Sequence, residues 1–331
     1  MSRRFSFRIP SSTSNLGAGF DALSLALEKY LRISIETFTK PSPRRKGSNP
    51  AETPPSPLGK GQGEDLNFEI IPRGVGASMI PTTADNLILR VANSVAKQRT
   101  GPLPAFRMVI DNEIPLARGM GSSAAAIIAG ITCYELLADD KLTEREIFNY
   151  AREFESHPDN LAAALRGGLI AATESLDGDI LIAKLRVADG ARAIVVIPSF
   201  EVSTEKARSV LPQTYSRKDA VFNIQRSALT IAALTTGNWS LLREAMRDRI
   251  HQPYRAPLIP GFQEILALNT PGLLGVALSG AGPAVFAITK AGETESVAHA
   301  IVSVFERHGV EAAPLSLNID NEGRTINSQP D

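Results

Sequence analysis

Residues 115–126 read Pro-Leu-Ala-Arg-Gly-Met-Gly-Ser-Ser-Ala-Ala-Ala. Upstream, Phe106-Arg-Met-Val-Ile has the look of a strand; downstream, the small and apolar residues from Ser122 to Ala138 read as a helix. Between them Gly119 and Gly121 permit backbone conformations and close approaches that side chains would block. Ser122 and Ser123 stand where the helix begins. The first N–H groups of a helix have no partner inside it, and the aligned peptide dipoles give that end about half a positive charge. Such an end suits a phosphate, and the two hydroxyls can bond phosphate oxygens or ligate Mg²⁺. No Gly-Lys-Ser/Thr occurs, so the loop is not of the Walker A type. Taken alone, the segment reads equally well as a tight Ser-capped turn into a buried helix.

The rest of the chain is compatible with an enzyme of two ordinary domains. It has 331 residues, of which 43% are hydrophobic, enough for real cores. Lys plus Arg and Asp plus Glu balance at 35 each, and no basic run with interleaved aromatics occurs. Nucleic acid is therefore not an expected partner, and an anionic substrate must be held by local groups. The single cysteine, Cys133, lies in the helical run and reads as a small buried apolar residue. Met1-Ser-Arg-Arg-Phe-Ser-Phe turns strand-like without the apolar core of a signal peptide, and no apolar stretch of membrane-spanning length occurs. The expectation is a cytoplasmic protein with no membrane partner.

Residues 41–63 stand apart. They contain six Pro and four Gly, with Ala51 and Leu58 as the only apolar side chains. Such a stretch cannot bury enough surface to offset its ordering entropy. The flanks, from Leu31 and from Leu66, alternate as strands, so 41–63 is read as a disordered excursion between two strands. Helical spacing marks Ala84 to Gln98, and Thr143-Glu-Arg-Glu is a capping box. Beyond Gly167-Gly168 the pattern gives a strand at Ala193–Ile197 and helices near 204–211, 219–234, 239–250 and 258–269. Strands at Leu273–Leu278 and Ala284–Ile288, a helix at 292–308 and a strand at 311–317 follow. The mixture indicates α+β, with domains at 1–172 and 173–331.

The loop at 115–126 resembles the second signature of the GHMP kinases, with Met120 in place of the usual Leu. Pro10-Ser-Ser-Thr-Ser-Asn-Leu-Gly-Ala-Gly-Phe-Asp resembles the first signature, and Leu278-Ser-Gly-Ala-Gly-Pro-Ala-Val-Phe-Ala the third. Three further segments resemble one branch of that superfamily, the homoserine kinases: Glu155-Ser-His-Pro-Asp-Asn-Leu, Val202-Ser-Thr-Glu-Lys-Ala-Arg-Ser-Val-Leu-Pro, and His251-Gln-Pro-Tyr-Arg-Ala-Pro-Leu-Ile-Pro-Gly-Phe. Ser156 departs from the branch's Gly.

The resemblance implies the two-domain GHMP fold, a ribosomal-protein-S5-like N-terminal domain and a ferredoxin-like C-terminal domain. It implies ATP and Mg²⁺, L-homoserine as the acceptor, and a possible homodimer. The nucleotide would lie along Pro115, Leu116, Ala117, Arg118, Gly119, Met120, Gly121, Ser122, Ser123, Ala124 and Ala125, with Asn86 near the adenine. Ser122 and Glu155 resemble the family's metal pair, although Glu153 is a competing acid. The substrate carboxylate needs a bidentate donor, for which Arg208 and Arg255 are candidates. Asp21 is the candidate for its ammonium, and Asn15, His157 and Asn160 for its hydroxyl. Each has a plainer reading: Arg208 as a solvated helix residue, Asp21 as a helix cap, Asn15 as part of its glycine turn, His157 as a structural histidine. Asp159 stands near the position of an Asp in other members, but the branch implies transfer without a dedicated base. Two other readings stay open: a GHMP kinase acting on mevalonate, a sugar or an isoprenoid precursor, and a non-catalytic nucleotide-binding protein.

Overall fold

A computed structural model describes residues 2–38 and 67–327; the excursion expected at 41–63 lies outside the described residues. β1 (Arg4–Asn15) and β2 (Gly19–Thr37) form a long antiparallel hairpin. β3 (Phe68–Gly74) runs parallel to β4 (Phe106–Asn112), which pairs antiparallel with residues 31–37 of β2. The other end of β2 pairs with β5 (Leu169–Glu174), which pairs in turn with β6 (Ile180–Leu185). On this sheet lie α1 (Leu87–Arg99), α2 (Ser122–Ala138), α3 (Glu144–Ala151) and α4 (Pro158–Arg166).

The second sheet is antiparallel. It contains β7 (Ala191–Pro198), β8 (Leu273–Leu278), β9 (Val285–Lys290) and β10 (Ala312–Leu317) in the order β10-β7-β9-β8. Between β7 and β8 run α5 (Thr204–Ser209), α6 (Arg217–Thr236), α7 (Leu242–Ala245), α8 (Gln252–Arg255) and α9 (Phe262–Ala267), and α10 (Thr294–Arg307) joins β9 to β10. Strand, helices, two strands, helix, strand is the ferredoxin-like succession. Last, β11 (Thr325–Asn327) returns to pair with β1. The domain division expected at residue 172 falls inside β5: the first sheet continues to Leu185 and takes the chain back again at 325–327.

Local chemistry accounts for these elements. α3 opens on the expected capping box, with Thr143 Oγ1 accepting from the Glu146 N–H at 3.3 Å and the Glu146 carboxylate accepting from the Thr143 N–H at 2.8 Å. β7 is apolar without alternation because both its faces are covered. Ala193 and Val195 join the core shared with the first sheet, while Ile194 and Val196 join a second core with Phe262, Ile301 and Phe305. The helices expected near 239–250 and 258–269 are broken into short pieces. Pro253 starts a one-turn helix, Pro257 sits in a 3₁₀ turn, and Pro260 keeps the chain extended before Gly261.

Candidate active site

The buried end of β1 is polar: Ser11, Ser12, Thr13, Ser14 and Asn15 are all at most 3% exposed. Buried hydroxyls need partners; Ser11 finds the Leu27 carbonyl of β2, and the others find theirs on segments that border one cleft. Ser12 Oγ donates to Asn160 Oδ1 at 2.8 Å, and Asn160 Nδ2 donates to Ser14 Oγ at 2.9 Å. Ser279 Oγ lies 2.9 Å from Thr13 Oγ1 and 2.7 Å from the Gly119 carbonyl oxygen. Asn15 Nδ2 donates to the Gly280 carbonyl at 2.8 Å. The Ser12 N–H donates to the Met120 carbonyl at 3.1 Å. Three segments distant in sequence, around 12–21, 116–124 and 279–282, are thereby fastened around a cleft of about 520 Å³.

The 116–124 segment has the geometry of an anion cradle. Gly119 and Gly121 have φ of 77° and 68°. A Cβ on either would overlap, respectively, the Ser279 carbonyl oxygen or Ser12 Oγ. Gly121 is the N-cap of α2 and no side chain caps that end; α4 and α10 also start without a side-chain cap, whereas Asn86 caps α1, Thr143 α3, Ser203 α5 and Ser216 α6. The free amides at the start of α2 open on the cleft, which Ser122, Ser123 and Ala124 line. The neighbouring wall, with Leu31, Ile80, Leu87 and Ile110, is apolar and suits a flat heterocycle.

At the other end charges alternate. His157 Nδ1 lies 2.8 Å from Glu155 Oε1, and its Nε2 lies 3.6 Å from Asp21 Oδ2. Asp21 accepts both Arg208 guanidinium nitrogens, Nη2 at 2.9 Å and Nη1 at 3.1 Å. Burial raises the Glu155 pKa, but the hydrogen bonds from the His157 ring and backbone, with the charges of His157 and Arg208, outweigh it and hold the carboxyl below its ordinary value. Asp159 goes the other way. It is 2% exposed, and burial first, then the nearby charges of Asp21 and Glu155, push it up to about 6 against the Asn160 N–H and His157. Arg255 is also 2% exposed, and burial together with the Arg208 charge lowers it to about 10, still cationic at neutral pH.

The expected site residues divide into three groups. Asp21, Glu155, His157, Asp159, Arg208, Arg255 and the loop residues Leu116, Ala117, Gly119, Gly121, Ser122, Ser123 and Ala124 all line the cleft. Asn15, Asn86 and Asn160 line it too, but their amides are committed to the scaffold. Asn86 Oδ1 caps α1 through the Leu89 N–H and its Nδ2 donates to the Pro81 carbonyl; Asn15 Oδ1 accepts from the Asp21 N–H. Pro115, Arg118, Met120 and Ala125 do not line it. Met120 and Ala125 pack in the core, and Arg118 turns to Glu201, 2.7 Å away. Sequence reasoning gave no role to the hydroxyls of Ser12, Ser14 and Ser279, and quoted the segment from Val202 without placing its first three residues in the cleft, which they line. A run of Ser and Thr in a strand that ends at a glycine turn was the available signal.

Ser122 and Glu155 offer one hydroxyl and one carboxylate on the same cleft. Among the described residues no cluster of three or more acidic, His or Cys side chains could cage a metal. A sparse, hard oxygen pair fits Mg²⁺, which keeps waters and binds largely through substrate phosphates. Among the described residues no helix is long and apolar enough to cross a membrane.

Fold and cleft together define a class. Residues 86–168 match the family model described as the GHMP kinases N terminal domain, and residues 230–309 that of the GHMP kinases C terminal. The chain is 39% identical over 319 residues to the homoserine kinase of Solibacter usitatus, covering 96% of each chain. It is 38% identical over 357 residues to that of Schizosaccharomyces pombe, covering 98% of this chain and 99% of the other. In fold it superimposes on the crystal structure of homoserine kinase from Cytophaga hutchinsonii with a TM-score of 0.77 at 24% identity, covering 98% and 97% of the two chains. The chain belongs to the GHMP kinases, in the branch formed by the homoserine kinases.

Proposed function

We propose that the protein transfers the γ-phosphoryl group of ATP to the hydroxyl of L-homoserine, giving ADP and O-phospho-L-homoserine. The observation that carries this reading is the pairing, in one cleft, of an uncapped helix end with a half-buried acid–arginine pair. The amides from Gly119 to Ala124 receive the β- and γ-phosphates, and the apolar wall receives the base. The acceptor is held at the other end: its ammonium by Asp21 and its carboxylate by Arg208 and Arg255. The Asp21–Arg208 pair matches an α-amino acid head group, because substrate ammonium and carboxylate replace for each side chain the charge that the other supplies in its absence. The chemistry of the substrate made Asn15 and Asn160, with His157, candidates for its hydroxyl. Their amides now read as supports for that wall of the cleft, leaving His157 and Asp159 facing the reacting oxygen.

Mg²⁺, when bound by Ser122 and Glu155, neutralises charge on the phosphate oxygens. His157 orients Glu155 through its ring and its N–H. Phosphoryl transfer asks mainly for alignment and charge stabilisation, and its loose transition state gains little from early deprotonation. Asp159 receives the hydroxyl proton late, which its pKa of about 6 permits near neutrality. The threonine branch of amino-acid biosynthesis, and the cytoplasm, is the setting in which this reaction belongs.

The test is ADP release measured with homoserine, homoserine lacking its amino group, mevalonate and galactose. Homoserine is expected to be preferred by more than about a hundredfold, because a lost ammonium leaves buried polar groups unmatched. Preference for mevalonate or galactose would overturn the substrate while leaving the kinase reading in place.

A further inference from the structure

His251 has no part in the reading so far, yet it is fully buried directly behind the acceptor end of the cleft. We propose that His251 is a positioning residue: it holds Arg255 so that one edge of the guanidinium faces the substrate carboxylate. The proposal rests on the assignment of Arg255 to that carboxylate.

The argument is an account of donors. Arg255 Nε donates to the Ala207 carbonyl at 3.0 Å. Its Nη1 donates to the Gly280 carbonyl at 3.1 Å and to His251 Nδ1 at 3.3 Å. Nη2 has no hydrogen-bond partner among the described residues, although the residue is 2% exposed and lines the cleft. Nη2 is thus the guanidinium donor left for a ligand in the cleft. A guanidinium is planar and rigid, so fixing Nε and Nη1 fixes where Nη2 points.

His251 is built to do the fixing. Its Nε2 lies 2.8 Å from the Gly17 carbonyl oxygen, which can only accept, so Nε2 carries the proton. Nδ1 is therefore a lone pair, aimed at Arg255. The ring stacks on Phe20 with centroids 5.2 Å apart and planes at 22°, and the Arg255 guanidinium carbon lies 5.3 Å from the same Phe20 ring. The His251 N–H is anchored on Asp248 Oδ2 at 2.9 Å. Of the three acceptors on Arg255, the Ala207 and Gly280 carbonyls belong to segments bordering the cleft. His251 adds the third acceptor and, through Nε2, ties the guanidinium to the turn at Gly17.

Two substitutions separate positioning from simple filling of space. His251→Asn retains an acceptor where Nδ1 stood, whereas His251→Gln retains a donor toward Gly17 and offers no acceptor to Arg255. The expected result is that His251→Gln raises the homoserine KM by about tenfold or more. The KM for ATP, kcat and the melting temperature should stay near those of the unmutated protein, and His251→Asn should stay closer to it in homoserine KM. Equal impairment by both variants, or a loss shared with ATP and accompanied by lower melting, would overturn the proposal in favour of a purely structural histidine. A second measurement needs no variant. Nitrogen spectra of histidine-labelled protein should show a neutral, Nε2-protonated ring whose Nδ1 signal moves when homoserine is added and stays when a non-hydrolysable ATP analogue is added alone. A protonated ring, or an Nδ1 signal indifferent to homoserine, would also overturn it. If the unmutated protein does not phosphorylate homoserine, the functional reading fails. If it does and His251→Gln keeps the normal homoserine KM, this inference alone fails.

Discussion

Asp159 occupies a position that the fold makes costly. Its folded pKa of about 6 lies above the ordinary 3.8, so the folded chain binds this proton more tightly than the unfolded one. By linkage the ionised carboxyl destabilises the fold: the penalty is absent at low pH, grows as pH rises between about 4 and 6, and is full above that. Converted at about 1.4 kcal/mol per pK unit, it reaches on the order of 3 kcal/mol. Against this, a negative charge in the first turn of α4 is favourable by about 0.5 kcal/mol. Burial wins. Asp159→Asn is therefore expected to melt several degrees higher than the unmutated protein above about pH 7, with the gain vanishing near pH 4; a gain independent of pH would sink the argument. Its kcat should fall within about a hundredfold. A loss of about ten-thousandfold with intact homoserine binding would show instead that Asp159 takes the proton early, as a dedicated general base. Glu155→Gln keeps the shape but removes the charge, and should raise the Mg²⁺ concentration for half-maximal rate by about tenfold, read from a metal titration. At this scale the sequence named residue types well and their commitments poorly. Arg208, Asp21 and Glu155 stand in the cleft because charged groups at a buried mouth have few other uses. The Asn86 amide is consumed locally, as the cap of α1, whereas Asn15 bonds the distant Gly280 carbonyl and Asn160 the hydroxyls of Ser12 and Ser14, partners that no local pattern announces.

An element is legible when its own periodicity decides it, and α2 shows both sides of that rule. Its helical run was plain from Ser122 to Ala138, but what it packs against was not. Gly130 looks like a weak helix residue, since Ala there would favour an isolated helix by about 1 kcal/mol. In the fold it lies where α2 crosses α1, and an added Cβ would stand 2.6 Å from both the Ile88 carbonyl oxygen and Val91 Cβ. Overpacking against backbone costs about 1–3 kcal/mol. Gly130→Ala is therefore expected to lower the unfolding midpoint despite its better propensity, checked by denaturant titration; a raised midpoint would mean that the two helices separate easily. The start of β1 reads as strand, but its second half does not, for the opposite reason. Its Ser-Ser-Thr-Ser segment has neither alternation nor apolar character, because its hydroxyls are buried against Leu27, Asn160 and Ser279 instead of facing water. Long-range partners, unlike periodicity, leave no trace within a window of residues.

For the whole molecule the decisive fact is where the cores lie. One continuous core contains Ile9, Leu25 and Ile128 of the first sheet and its helices together with Val195, Leu234, Met246 and Phe286 from the other half. The chain's far end adds a second tie, since β11 pairs with β1 and the Arg324 guanidinium reaches the buried carboxylate of Glu135 in α2. Two domains that share apolar surface of this kind do not meet as a wet, separable interface would. The sequence suggested two units because the pattern changes after Gly167-Gly168; the chain does form two sheets, but the first draws β6 and β11 from beyond the expected division. Two-state unfolding is the physical consequence: neither half can expose its side of the shared core without the other losing its support. Calorimetry should give a single transition with a van't Hoff enthalpy close to the calorimetric one. Removal of residues 318–331 should lower its midpoint, because Glu135 then keeps a buried charge without its arginine. Two resolved transitions, or a midpoint indifferent to that deletion, would show that the halves fold separately and that the active cleft between them is assembled only afterwards.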